Sequence, residues 1–237
     1  MFFDLDFALK SFPEVLGGVP MTLLVTATSI LLGFALGFLI YSLQARKRRW
    51  LTALCRLYVS VVRGTPLLVQ LYIVYFAVPP LLHTLSQRYG LPLKVADIPP
   101  LAYALTAFTI NTSAYMSELI RSALSSVEAG QMEAAQSVGM SAWQSYRLII
   151  LPQAFVEAIP NIGNMFLGLI KGTSLVYTVK LVEVMARAKV LAAYGLRYIE
   201  VYLVASLIYW GLSICFEILF KKLEQVLRVG SRKLKAI

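Results

Sequence analysis

A chain of 237 residues that is 59% hydrophobic and 14% charged is too apolar for a soluble domain, which carries about half apolar and about a quarter charged residues. Its formal charge of +10 would suit nucleic acid as one basic face. It falls instead in short clusters beside apolar runs, where cations meet lipid headgroups. Two cysteines and one histidine support neither a disulfide framework nor a metal site: Cys55 sits at the edge of one apolar segment, Cys215 lies inside another, and His83 stands alone.

Residues 1–19 predict an amphipathic lead-in with Phe2, Phe3, Phe7 and Phe12 as interface anchors. Asp4, Asp6 and Glu14 make this segment acidic, unlike a removable signal peptide. Apolar runs of about 18 residues or more read as membrane spans. Segments at 20–43, 65–82, 99–120, 155–178 and 199–220 come close to that length, so the expected fold is all-α, an integral membrane bundle of five transmembrane helices.

In the first span Gly33 and Gly37 form a small-xxx-small pair that lets another helix approach, and RKRRW at 46–50 closes it. RGTPLLVQL, Arg63 to Leu71, opens the second. Thr65 before Pro66 suits a helix start, with Arg63 left at the headgroups and Gln70 entering the hydrocarbon. A polar loop with Pro79, Pro80, Pro92, Pro99 and Pro100 is expected next. Asn111, Tyr115 and Glu118 fall on one face of the third span, and Asn161, Asn164, Gly168 and Lys171 on one face of the fourth. Such groups face a wet pathway or bond across helices as packing glue; Glu118 can also pair with Arg121, three residues on. Tyr202, Tyr209 and Trp210 of the last span read as lipid or packing contacts.

With the N-terminus outside, the inner segments hold Arg46, Lys47, Arg48, Arg49, Arg56, Arg63, Arg121, Arg147, Lys221, Lys222, Arg228, Arg232, Lys233 and Lys235. The outer segments hold Lys10, Arg88, Lys94, Lys180, Arg187, Lys189 and Arg197. This two-to-one bias predicts an N-out, C-in orientation.

Between the third and fourth spans runs EAGQMEAAQSVGMSAWQSYRLIILP, residues 128–152. Ser125 with Glu128 and Ser141 with Gln144 fit capping boxes. Gly139 is a natural helix stop, and Pro152 is expected to end the second unit. The spacing therefore predicts two short helices around a glycine turn, on the cytoplasmic side, with Trp143, Tyr146, Arg147 and Ile150 along one side. Such a hairpin suits a groove on another protein. A helix lying on the membrane would prefer a basic polar face, whereas this one offers Glu133.

Glu133, Ala134 and Ala135, then Gly139, Ile149, Leu151 and Pro152, resemble the EAA loop of bacterial ABC importer permeases in identity and spacing. RGTPLLVQL at 63–71, NTSAYMSELIRSAL at 111–124, SVEAGQMEAAQSVGM at 126–140 and KGTSL at 171–175 resemble the permeases for polar amino acids. Departures fall at Gly172, where that family usually has an acid, and in the longer loop at 79–100.

The resemblance implies that residues 1–237 form a single multi-pass transmembrane domain in a bacterial cytoplasmic membrane, with its coupling loop at about 125–152. It implies a second permease, identical or related, two ATPase subunits that seat the loop and bind the ATP and magnesium, and an external solute-binding protein. This chain would bind no cofactor and do no catalysis. The candidate coupling residues are the seven just named, and the candidate pathway residues are Gln70, Asn111, Glu118, Asn161, Asn164, Lys171, Thr173 and Ser174. RLYVSVVRGTP, SVGMSAWQS and YLVASLIYW resemble cystine-type permeases most.

No G-x-x-x-x-G-K-[ST] occurs, so ATP belongs to another chain. The alternative is a secondary transporter driven by an ion gradient, which would want intramembrane carboxylates and often an internal repeat; the sequence offers no repeat and only Glu118. A membrane enzyme would need a nucleophile with its base, or a cluster of His, Cys and carboxylates.

Overall fold

The computed structural model describes residues 3–46, 48–90, 92 and 94–235, with side chains through Arg228. Phe2, Lys47 and the side chains of Arg232, Lys233 and Lys235 lie outside that description. Among the described residues the secondary structure is helical throughout.

Helix α1 (Leu5–Leu16) starts at Asp4, whose carboxylate accepts from the Phe7 amide at 3.0 Å. It buries Ala8, Ser11 and Val15. Phe3 and Phe12 are exposed, but Phe7 packs inward under Gly195.

Helix α2 (Val19–Ala45) and α5 (Pro100–Ser125) run parallel and in close contact. Gly33 abuts Thr112 and Gly37 abuts Met116. Lipid is as apolar as any side chain, so close packing of small residues has to hold these helices together.

The second span differs most from expectation. Helix α3 (Arg49–Gly64) precedes α4 (Leu67–Tyr89), with a break at Thr65 and Pro66. Cys55, Val59 and Val62 of α3 bury against α2 and α5. The Tyr58 hydroxyl donates to the Ile110 carbonyl at 3.0 Å and pairs with Ser113 at 2.7 Å. The sequence counts the three arginines of α3 only as inner cations, yet Arg49, Arg56 and Arg63 recur every seven residues opposite its apolar face. The Gly64–Pro66 break therefore lies level with the middle of α5. Pro79 and Pro80 lie inside α4 and not in a loop.

Helix α6 (Ala129–Ser137), α7 (Ala142–Ser145), a π-helical turn at Tyr146–Ile150 and α8 (Leu151–Gly172) follow. A 3₁₀ segment at Thr173–Val179, then α9 (Val184–Gly195) and α10 (Tyr198–Lys235) complete the chain. Three helices (α2, α4 and α10) are long and apolar enough to cross a membrane, or four if the bent unit from Ala142 to Gly195 counts as one span. Helix α5 is long enough at 26 residues. Its polar face lowers its hydropathy, and it lies in the bundle between α2, α3, α4 and α8.

Glu183 is fully buried at the start of α9. It accepts from the Met185 and Ala186 amides at 2.9 Å, from the Tyr209 hydroxyl at 2.6 Å and from Thr22 at 3.5 Å. One carboxylate thus caps α9 and ties it to α2 and α10. Tyr209 is a structural bond in this bundle, more than the lipid or packing contact the sequence suggests.

Candidate functional site

The hairpin between α5 and α8 is built by short-range chemistry. Helix α5 runs to Ser125, and Glu128 itself is the cap residue of α6, without a side-chain bond. The expected Ser125–Glu128 box is absent because α5 keeps Ser125 helical. Helix α6 ends in a Schellman motif: the Gly139 amide donates to Gln136 at 3.0 Å and the Met140 amide to Ala135 at 3.2 Å. Gly139 holds φ +87°, a left-handed conformation that glycine reaches without a Cβ penalty.

The box at Ser141 is present in both arms. The Gln144 amide donates to the Ser141 hydroxyl at 3.3 Å, and the Ser141 amide donates to the Gln144 side chain at 2.8 Å. Pro152 does not end the unit. The π-helical turn before it widens the helix, the Leu151 amide reaching back to Tyr146, so the prolyl ring enters α8 within its first turn. That turn divides the expected side. Ile150 and Ser145 face inward, while Trp143 and Arg147 remain outside. Tyr146 packs toward Tyr41 of α2, and burial together with that phenol raises its pKa.

Of the candidate coupling residues, Glu133, Ala134, Gly139 and Leu151 are exposed, Ile149 and Pro152 half-buried, and Ala135 buried. Around them Val138, Trp143 and Leu148 are 77%, 66% and 56% exposed. Large apolar groups held outward on a capped, rigid turn form a surface suited to a partner's cleft.

The candidate pathway residues separate into two groups. Gln70 and Asn111 are brought together, the Asn111 amide donating to the Gln70 oxygen at 3.0 Å. The Gln70 amide also reaches the Val62 carbonyl at 2.7 Å and the Thr65 hydroxyl at 2.8 Å, bracing the break in the second span. Glu118 is held by Arg121, 2.7 Å away. Thr173 is buried with its hydroxyl on Ile170 at 2.7 Å, and Ser174 bonds Lys171 at the same distance.

Asn161, Asn164, Gly168 and Lys171 instead form one exposed face of α8. Lys171 and Ser174 border a cleft of about 700 Å³ against α9 and α10, shared with Tyr177, Tyr202 and Trp210. A second cleft of about 490 Å³ lies between α3 and α5, lined by Arg56, Ser60, Arg63, Tyr115 and Glu118. The sequence reading counted Arg56 and Arg63 as inner cations and not as pathway residues. The seven-residue recurrence from Arg49 to Arg63 was the signal available. Among the described residues no group of three or more His, Cys, Asp or Glu could hold a metal ion.

Residues 29–229 match the family described as binding-protein-dependent transport system inner membrane component. The probable amino-acid permease YxeN of Bacillus subtilis is 36% identical over 94% of this chain and 96% of its own. The L-cystine transport system permease TcyL of the same organism is 31% identical over 99% of this chain and 96% of its own. The nopaline transport permease NocM of Agrobacterium fabrum is 37% identical over 87% and 84%. A solved amino acid ABC transporter crystallised with histidines superposes with a TM-score of 0.81 at 29% identity, covering 95% of this chain and 99% of that one. The MetNI methionine transporter, at 16% identity and a TM-score of 0.64 over 93% and 96%, shares the fold. The chain belongs to the family of binding-protein-dependent transport system inner membrane components.

Proposed function

We propose that this multi-pass membrane subunit forms the translocation half of an ATP-driven importer for a polar amino acid, with L-cystine as the substrate. The permease does no chemistry itself. Residues 128–152 seat in a cleft on each of two separate ATPase subunits, which bind the ATP and magnesium. A second permease copy or a relative faces α8, and a solute-binding protein delivers the amino acid from outside, the side of the N-terminus.

The observation that carries this reading is the hairpin. The Gly139 turn and the Ser141–Gln144 box fix a rigid knob bearing Val138, Trp143 and Leu148 outward, a shape of little use to a single membrane-embedded chain. ATP binding would draw two such knobs together and turn the permeases outward, and hydrolysis would reset them. The exposed stripe of Asn161, Asn164 and Lys171 supports a wet path beside α8, because polar groups left to lipid are costly. The cystine assignment is supported by the relatives that transport it.

Uptake of radiolabelled L-cystine by cells producing the chain with its ATPase and binding protein tests both levels. The expected uptake survives collapse of the proton gradient by a protonophore and is suppressed by unlabelled cystine but not by glutamine. Suppression by glutamine alone would remove cystine. Loss with the gradient would remove the ATP-driven reading.

A further inference from the structure

We propose that the groove between α2 and α3 is a binding site for one anionic glycerophospholipid, its acyl chain laid along the groove and its phosphate held by Arg46, Arg48 and Arg49. The inference goes beyond the transport reading and needs only that the chain spans a membrane.

The groove has a volume of about 430 Å³, walled by Leu36, Leu39 and Leu43 of α2 and by Leu51, Leu54 and Tyr58 of α3. Ile40 and Cys55 are its buried residues, 7% and 9% exposed, whereas Leu39 and Leu54 stand on the rim at 52% and 58%. The one hydroxyl in the lining is that of Tyr58, and it is already engaged. It donates to the Ile110 carbonyl at 3.0 Å and meets Ser113 at 2.7 Å. The Cys55 thiol behaves as a small hydrophobe. Buried water needs several polar partners, and an amino acid brings two charged ends. These walls match neither; they match hydrocarbon.

Shape separates a lipid chain from a helix. Leu36 and Leu43 are seven residues apart, about 10 Å along α2. Over that length the volume gives a cross-section of about 40 Å², half that of a helix about 10 Å across. A neighbouring helix would rest on the rim and leave the groove unfilled.

The groove also runs the way an acyl chain runs. Helix α2 is long and apolar enough to cross a membrane, and α3 turns back beside it. Leu43 and Leu51 mark the end next to that turn, and Leu36 and Tyr58 lie deeper. Within one helical turn of Leu43 and Leu51 come Arg46, Arg48 and Arg49, all exposed. None of the three forms an ion pair among the described residues. Trp50, 61% exposed beside them, is of the type that sits at headgroup level. Arg48 caps α3 without a side-chain bond, so the first amides of α3 add partial positive charge at the same place. Guanidinium forks match phosphate oxygens in paired bonds. A chain hanging from that phosphate enters the groove between Leu43 and Leu51.

The test uses the transporter assembled with its ATPase in nanodiscs of neutral lipid. Phosphatidylglycerol and phosphatidylcholine probes, each with the same diazirine at mid-chain, are photolysed at equal trace concentration, and labelled residues are mapped by mass spectrometry. Phosphatidylglycerol is expected to label residues 36–43 and 51–58 about fivefold more than phosphatidylcholine, as one net charge beside a basic cluster gives. No preference is expected at Leu31 and Leu32, which are exposed on α2 but far from the arginines. Arg48→Gln with Arg49→Gln should bring the preference below about twofold, Arg46 being kept because basic residues orient the span. Leu54→Trp, on the rim, should lower labelling of the groove by both probes several-fold and leave Leu31 and Leu32 unchanged.

Equal labelling of the groove by the two probes would overturn the proposal. So would an equal preference at Leu31 and Leu32, which describes ordinary boundary lipid, or a preference unchanged in the arginine variant. Absence of label from the groove would mean that a second permease or another subunit covers it, and would overturn the proposal too. Labelling depends neither on ATP nor on the transported solute. It can therefore fail while the importer reading stands, and stand while that reading fails.

Discussion

Replacing Gly139 by valine is expected to leave the permease in the membrane while cutting ATP-coupled uptake at least tenfold. The cause is backbone conformation and not crowding: a Cβ at Gly139 meets nothing within 4 Å, but φ is +87°. The left-handed region costs an ordinary residue about 1–2 kcal/mol, and a β-branched one is a genuine outlier there. The chain can relieve that strain only by opening the Schellman turn, which would swing Trp143 and Val138 out of register with each other. Gly139→Asn should retain most uptake, since asparagine tolerates this conformation. Uptake together with co-purification of the ATPase reads the difference. A valine variant that transports and holds its ATPase like the parent would show that the turn does not set the coupling geometry. Glu133→Lys should also release the ATPase, by charge and without disturbing the turn.

The second large effect concerns assembly. Alanine at Gly33 would place its Cβ 2.5 Å from the Thr112 Cγ2 and 2.7 Å from its Cβ, and at Gly37 2.9 Å from both the Met116 Cβ and the Ser113 carbonyl. Rotating Thr112 moves its methyl group but leaves its Cβ in place, so α2 must retreat from α5. Overpacking of this kind costs about 1–3 kcal/mol per site. With little hydrophobic force between helices in lipid, the lost contact is not recovered by burial elsewhere. The double variant Gly33→Ala with Gly37→Ala should lower the melting temperature in detergent by about 5 °C or more. Gly211→Ala is the control. A Cβ there meets nothing within 4 Å, and alanine favours a helix interior by roughly 0.5–1 kcal/mol. Equal melting of the double variant and the control would mean that the α2–α5 contact is not held by close approach.

Much of this was legible in the residues because it follows from local rules. The apolar runs gave the bundle, the Gly33–Gly37 pair gave its tightest contact, and Gly139 with the Ser141–Gln144 box gave the hairpin. What was not legible depends on partners distant in sequence. Helix α3 reads only as a basic inner segment until Tyr58 finds Ile110 and Ser113 on α5. Only then does the break at Pro66 fall level with the middle of α5. Pro152 reads as a stop because proline lacks an amide, and a π-helical turn removed that objection by shifting the bonding pattern before it. Glu183 gives no sequence signal beyond an acid before a helical run, yet it ties α9 to α2 and α10. The Gln70–Asn111 bond likewise joins two expected pathway groups from α4 and α5.

The account depends on force entering through residues 128–152 from a separate motor protein. Reconstitution into liposomes with an internal binding site for the substrate, once with this permease alone and once with its ATPase and binding protein, tests that directly. ATP-dependent accumulation against a gradient is expected from the complete assembly only. Uphill accumulation by the permease without any nucleotide-hydrolysing subunit would contradict it.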